Sequence, residues 1–393
     1  MKVREIILQK INFENWIYCI IFLLPIYLIK IHLFNLPTNL LELLIGGGFL
    51  VWLLNKWSEL ETFFAKYKKY FFSIGLIFTG LLISMIFNGN YAVALGIIKG
   101  WFIFPVLFFA AVLFLLDQSK AEKALRVFYF SALFVSATAL LYYFFGKLTF
   151  DFRLQAFFNS PNYLAMYLGP AIPIGIFWLR KNWKLYALSL AIILAALFFT
   201  KSFAAWAAIV ISLTVVFWTE KRFKKEPLLA TFSVVLVVIF MFFSQTGTKK
   251  LTDALNQSER SSAASRFMIW SVAAKSVFEN PIFGIGPGNF QNKYLLEQRN
   301  NPPYLEWAVS HPHNLFLAFW LYSGVLGLSG FLFLILFFFI DFFKKQKNAL
   351  KFMALGMMLC ILLQGFLDTT YFKNDLAIIF WLAFAGMIKS NED

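Results

Sequence analysis

His311-Pro312-His313-Asn314 places two of the chain's 3 histidines within three residues, where a long polar stretch gives way to an apolar run. Imidazole titrates near neutral pH, so a histidine there can act as a base toward a hydroxyl such as that of a sugar. Position alone leaves a second reading open, in which these are interfacial histidines that cap the next helix. A metal site is not expected, because two histidines at i and i+2 need further ligands and no matching cluster is visible.

Cations accompany the histidines. Arg266 opens an expected amphipathic helix over 266–279, with Ser265 as its cap. A guanidinium beside a helix N-terminus suits an anion, since the dipole and the free N–H groups add to its charge; the plainer alternative is an ordinary interfacial arginine. The apolar side of that helix is expected to be Phe267, Trp270, Ala274, Val277 and Phe278, opposite Ser271, Lys275 and Glu279. Arg153 precedes the turn Phe158-Asn159-Ser160-Pro161-Asn162, and Lys201 stands alone in a sharp hairpin between two apolar runs. Asp368, Lys373 and Asp375 cluster at a last hairpin, where they are expected to pair structurally. Gly284-Ile285-Gly286-Pro287-Gly288 makes a tight turn. It is not read as a dinucleotide fingerprint, which requires a strand before it, whereas this turn follows a helix.

The elements that must position these residues are membrane helices. Of 393 residues 60% are hydrophobic and 14% charged, against about a quarter charged in soluble domains. Apolar runs long enough to cross hydrocarbon as helices, without the alternation of a barrel, predict an all-α polytopic bundle of about twelve spans. These are expected near 16–34, 40–54, 71–87, 96–116, 125–145, 162–178, 185–200, 203–219, 229–244, 314–340, 350–370 and 375–388. Alternate connections, with the termini, carry 22 Lys and Arg on one side and 4 in the short loops of the other. Excess positive charge marks the cytoplasmic side, so both termini are expected in the cytoplasm and residues 245–313 outside it. The same placement explains the net charge of +15 without nucleic acid. Cys19 and Cys360 fall within spans, so no disulfide framework is expected.

Ser265-Arg266-Phe-Met-Ile-Trp270, followed by Asn280-Pro281-Ile-Phe-Gly284-Ile-Gly286-Pro-Gly288-Asn-Phe290, resembles the outer-loop signature of the bacterial O-antigen ligase and polymerase family. His311-Pro-His313-Asn314-Leu-Phe-Leu317 with Gly324-Val-Leu-Gly327 resembles a second signature, and Arg153-Leu with Asn159-Ser-Pro161-Asn162-Tyr-Leu-Ala165 a third. The resemblance implies a membrane glycosyltransferase that moves a glycan from an undecaprenyl-pyrophosphate carrier to an acceptor, lipid A-core in the ligases, at the outer face of the inner membrane. It implies no cofactor. Carried over, His313 is the base for the acceptor hydroxyl and His311 assists or orients it. Arg266 holds the pyrophosphate, and Arg153, Lys201, Asn162, Asn314 and Trp270 complete the expected substrate-binding set. Where the family often has Ser-Arg-Gly, this chain has Ser202-Phe203-Ala204, and Lys201 is the candidate replacement for the missing arginine.

Two other functions compete. A polymerase joining lipid-linked repeat units shares these motifs. A transporter or flippase of lipid-linked glycans would instead place cations and broken helices near the bilayer midplane, whereas these candidates gather at one membrane face. Chemistry favours transfer, since no ATP is at hand outside the cytoplasm and a lipid pyrophosphate arrives already activated.

Overall fold

Leu-, Ile- and Phe-rich runs form helices wherever proline and glycine permit, because backbone groups in hydrocarbon must bond within their own segment. The computed structural model describes residues 13–33, 36–220, 262–298, 309–344 and 347–392, with the isolated helical residues 239 and 243. The expected span 229–244, the segment 245–261 and residues 299–308 lie outside them.

Helix α1 is Phe13–Phe22. It stops short of the expected span 16–34, because Leu24–Leu28 is a tight 3-10 turn containing Pro25 and a hairpin follows. Strands β1 (Lys30–Leu33) and β2 (Leu36–Asn39) pair antiparallel, Lys30 opposite Asn39, so the chain is not purely helical. Asn39 then caps α2 (Leu40–Lys56), its side chain accepting from the Glu42 N–H at 2.9 Å.

Next come α3 (Leu60–Lys66), α4 (Lys68–Asn88) and α5 (Tyr91–Leu115), the last widened by a π turn over Ile98–Ile103. Helix α6 is Gln118–Phe144. The expected span 162–178 is two helices, α7 (Pro161–Leu168) and α8 (Ala171–Leu179), separated at Gly169–Pro170. Helices α9 (Trp183–Phe199) and α10 (Phe203–Thr219) form the hairpin about Lys201. Beyond the segment outside the described residues lie α11 (Ser262–Glu279), α12 (Phe290–Gln298), α13 (Leu315–Phe342), α14 (Ala349–Gly365) and α15 (Asn374–Lys389).

Among the described residues, five stretches are long and apolar enough to cross a membrane, and six if the pair Leu40–Leu53 and Trp57–Lys66, bent by 82°, is one span. Helices α1, α9, α10 and α14 are apolar but shorter. Contacts sort the connections into two ends. Lys66 meets Glu392 at 3.0 Å and Lys69 meets buried Asp341 at 2.9 Å, joining the start of α4, the end of α13 and the C-terminal residues. At the other end Leu154 N–H bonds the Phe199 carbonyl, Asn374 bonds Glu42, and Asn88 bonds the Gly284 carbonyl.

Helix α13 packs closely on α4 through glycine. A Cβ at Gly80 would meet the Ser323 carbonyl at 2.3 Å, and one at Gly330 the Ser73 carbonyl at 2.5 Å. Gly324 interrupts α13 with φ 63°. The glycine turn repairs that break: Ile285 N–H bonds the Leu321 carbonyl at 2.8 Å, and Val325 N–H bonds the Ile282 carbonyl at 3.1 Å. Gly284, at φ 68°, approaches so closely that a Cβ would meet the Leu321 carbonyl at 2.4 Å. The turn's glycines therefore serve a backbone junction.

Candidate active site

Asn314 caps α13, accepting from Leu317 N–H at 3.0 Å through its side-chain oxygen, while its amide nitrogen donates to the Phe366 carbonyl at 3.0 Å. Arg266 Nε donates to the next carbonyl, Leu367, at 3.0 Å. These two side chains fix the segment that ends in Asp368. Trp270 Nε1 donates to the His313 carbonyl at 3.2 Å. His313 itself has φ 45°, a left-handed conformation that costs a non-glycine residue of order 1–3 kcal/mol and persists only where neighbours enforce it.

The outcome is a histidine–carboxylate pair. His313 Nδ1 lies 3.0 Å from Asp368 Oδ1, with the histidine side chain 37% exposed and the aspartate 4%. An ionised carboxylate only accepts, so Nδ1 carries the proton in this bond. Burial acts to raise the Asp368 pKa, but His313, Arg266 and the Thr369 N–H together hold it below the usual carboxylate value. Asp368 was expected to belong to a structural cluster with Lys373 and Asp375. It is instead the partner of the candidate base, while Asp375 accepts from the Tyr163 hydroxyl.

His311 is differently employed. The Tyr322 hydroxyl donates to the Ser310 carbonyl at 3.1 Å and lies 2.8 Å from His311 Nδ1. Its single proton is spent, so His311 Nδ1 is the donor to it. Burial foremost, then Lys373 and His313, bring the His311 pKa down to about 3. The ring is neutral across the physiological range and orients rather than exchanges protons there.

Arg153 is held by three partners: Nε donates to the Thr200 carbonyl at 2.8 Å, Nη2 to Asn162 Oδ1 at 2.6 Å, and Nη1 faces Asp151 at 3.7 Å. Burial, with Arg266 nearby, lowers its pKa against the opposing pull of Asp151 and Asp368. Arg153, Arg266, Asp368 and His313 thus share one electrostatic neighbourhood. Lys201, with φ 49°, follows Thr200 directly, so the hairpin that carries it is tied to Arg153.

Two expectations for α11 change. The helix has begun by Ser262, so Ser265 is not its cap and Arg266 lies a turn inside; the helix dipole does not add to that guanidinium. The buried face is Ser265, Ile269, Val272, Ala273, Ser276 and Val277, whereas Phe267 and Phe278 are 71% and 83% exposed. The expected face was displaced because both sides of this helix are rich in apolar residues, and periodicity does not say which of them meets the bundle.

A further group adjoins the histidines. The π turn of α5 carries Trp101, whose ring centroid is 5.4 Å from that of His311. Glu42 meets Lys99 at 2.9 Å and accepts from Asn374 at 2.9 Å, and Asn374 also donates to the Gly100 carbonyl at 3.1 Å. Charged residues inside apolar runs, here Glu42 and Lys99, were a readable signal for this network. No group of His, Cys, Asp and Glu able to hold a metal occurs among the described residues.

Residues 187–332 match the family model described as O-antigen ligase. The matched stretch holds Lys201, Arg266, Trp270, the glycine turn and the histidines; Arg153, Asn162 and Asp368 fall outside it. No curated protein matches the chain.

Proposed function

The chain belongs to the O-antigen ligase/polymerase family, and from that premise we propose that it transfers a glycan from an undecaprenyl-pyrophosphate carrier to a lipid A-core acceptor. The observation that carries the reading is the His313–Asp368 pair beside Arg266 and Arg153. His313 Nε2 takes the proton of the acceptor hydroxyl as its oxygen attacks the anomeric carbon of the donor. The bond from that carbon to the diphosphate oxygen breaks, and the electron pair leaves with the diphosphate. Asp368 holds the ring in the required tautomer and stabilises the imidazolium that forms, as the aspartate of a hydrolase triad does. Arg266 and Arg153 stabilise the charge on the departing diphosphate, with Lys201 close to Arg153. Asn162, Asn314 and Trp270 position these groups.

The site faces outward from the bacterial inner membrane in this proposal, with about twelve crossings, the polar segment 245–313 outside and both termini in the cytoplasm, as the charge asymmetry requires. Purified protein given an undecaprenyl-pyrophosphate-linked glycan, with and without lipid A-core, tests the reaction. The expected product is glycan joined to lipid A-core. Elongated lipid-linked glycan formed without acceptor would identify a polymerase instead, and absence of both products would remove the transfer reading.

A further inference from the structure

Lys373 caps α15 between the histidine site and a buried carboxylate, and its ammonium is unspent. Among the described residues, Nζ makes no hydrogen bond and no ion pair. Its contacts are the ring faces of Trp101, at 5.9 Å from the centroid, and Tyr163, at 6.0 Å. Both are near the outer limit of cation–π attraction, so they satisfy little of a group with three donors to place. Asp375, in the next turn, has one oxygen on Tyr163 and the other buried with no partner. Lys373 and Asp375 do not pair with each other, so this corner retains both a donor and an acceptor unused.

The corner is also rigid. Asn374, next to Lys373, is bonded to Glu42 and to the Gly100 carbonyl beside Trp101. A Cβ at Gly100 would meet Glu42 Oε1 at 2.9 Å, so the π turn and the start of α15 are in direct apposition. Trp101 is partly exposed and shares its edge with His311 and Phe372. A π turn at a functional position is a recurrent association.

We propose that Lys373 and Trp101 form an acceptor subsite, in which Lys373 Nζ binds the carboxylate or phosphate of an acidic sugar while the Trp101 ring lies against that sugar's apolar face. The proposal rests on the transfer reading above for the word acceptor. Its placement follows from the two cationic flanks of the histidines. The arginine flank, Arg266 and Arg153, surrounds Asp368 and suits a diphosphate, which matches two guanidinium forks. The lysine flank meets His311 and Trp101, and a single ammonium beside an indole suits one anionic group on a ring. Burial depresses the Lys373 pKa, with Lys30 adding to it and Asp375 opposing, as for a cation that lacks a counter-ion.

The test uses the full chain in nanodiscs, with a glucuronate-containing tetrasaccharide, its carboxyl-reduced counterpart and a phosphorylated oligosaccharide as probes. Calorimetric titration should show binding of the acidic probes and little of the reduced one; whichever of carboxylate and phosphate binds more tightly identifies the anion. Lys373→Met should weaken the acidic probes about 10- to 100-fold, the worth of a charge-assisted hydrogen bond, and Lys373→Arg should recover part of it. Trp101→Ala should weaken all three. In transfer assays Lys373→Met should raise the KM of an acidic acceptor while kcat and the KM of the donor stay within about twofold. Equal loss on acidic and reduced probes overturns the proposal, as does a rise confined to the donor KM. If the wild-type protein transfers nothing yet binds the acidic probes through Lys373, the subsite stands and the transfer reading fails.

Discussion

His313 Nδ1 and Asp368 Oδ1 meet at 3.0 Å across 55 positions of sequence, from a histidine backbone held at φ 45°. Three side chains enforce that meeting: Trp270 on the His313 carbonyl, and Arg266 and Asn314 on the two carbonyls before Asp368. In the proposed transfer, the base and the charge that orients it are therefore positioned by the same residues proposed to flank the substrate.

Asp368→Asn should lower kcat strongly while donor binding is retained. An asparagine accepts only through one oxygen and can turn its NH2 toward the ring, which favours the wrong tautomer. General-base help is worth about 10²–10⁴-fold, and a loss of about 10²-fold or more in kcat is expected. A folded Asp368→Asn protein with kcat near wild type would show that the pair is structural.

Arg266→Ala should impair use of the donor more than Arg266→Lys, because lysine supplies charge without the planar fork. Part of the damage has a different origin, since Nε also holds the Leu367 carbonyl and hence Asp368. The expected signature is a rise in donor KM together with a fall in kcat. A change in neither, at normal protein levels, removes Arg266 from the site.

His311, held at about 3, makes stability depend on pH. The unfolded His311 takes up its proton near its ordinary value of 6.5 while the folded one does not, so its stabilising contribution is full above that pH and declines toward pH 3. His311→Gln should flatten the loss of thermal midpoint between about pH 6.5 and pH 4; an unchanged slope would contradict the burial of a neutral ring.

Gly324→Ala should be destabilising, with activity lost alongside. With φ 63° and ψ −169° its backbone lies in a region essentially reserved for glycine, costing an alanine of order 1–3 kcal/mol, and its Cβ would collide with the Ile282 carbonyl. That carbonyl is the acceptor for Val325 N–H, so the glycine turn would be pushed off the break it repairs. A thermal midpoint equal to wild type would mean that α13 straightens without the turn.

Much of this was legible along the chain. Hydropathy is a local sum, so residues such as Leu315–Phe342 declare a membrane helix without reference to the rest of the fold, and charge asymmetry between connections is a count. Asn314 precedes that helix at capping spacing, and His311, His313 and Arg266 stand in short motifs that local spacing displays. The carboxylate that orients His313 was not legible, because nothing near His311-Pro-His313 names Asp368 over Asp375; only the turn after α14 brings one of them to the ring. The buried face of α11 was likewise decided by packing, since Phe267 and Ile269 are equally apolar and only one direction meets the bundle. Trp101 and Lys373 lie in separate segments whose contact depends on the π turn and on Glu42 holding it to Asn374. Composition and period are properties of neighbours in sequence, whereas a hydrogen-bond partner is chosen by the path of the backbone between distant residues, and that path exists only in the folded chain.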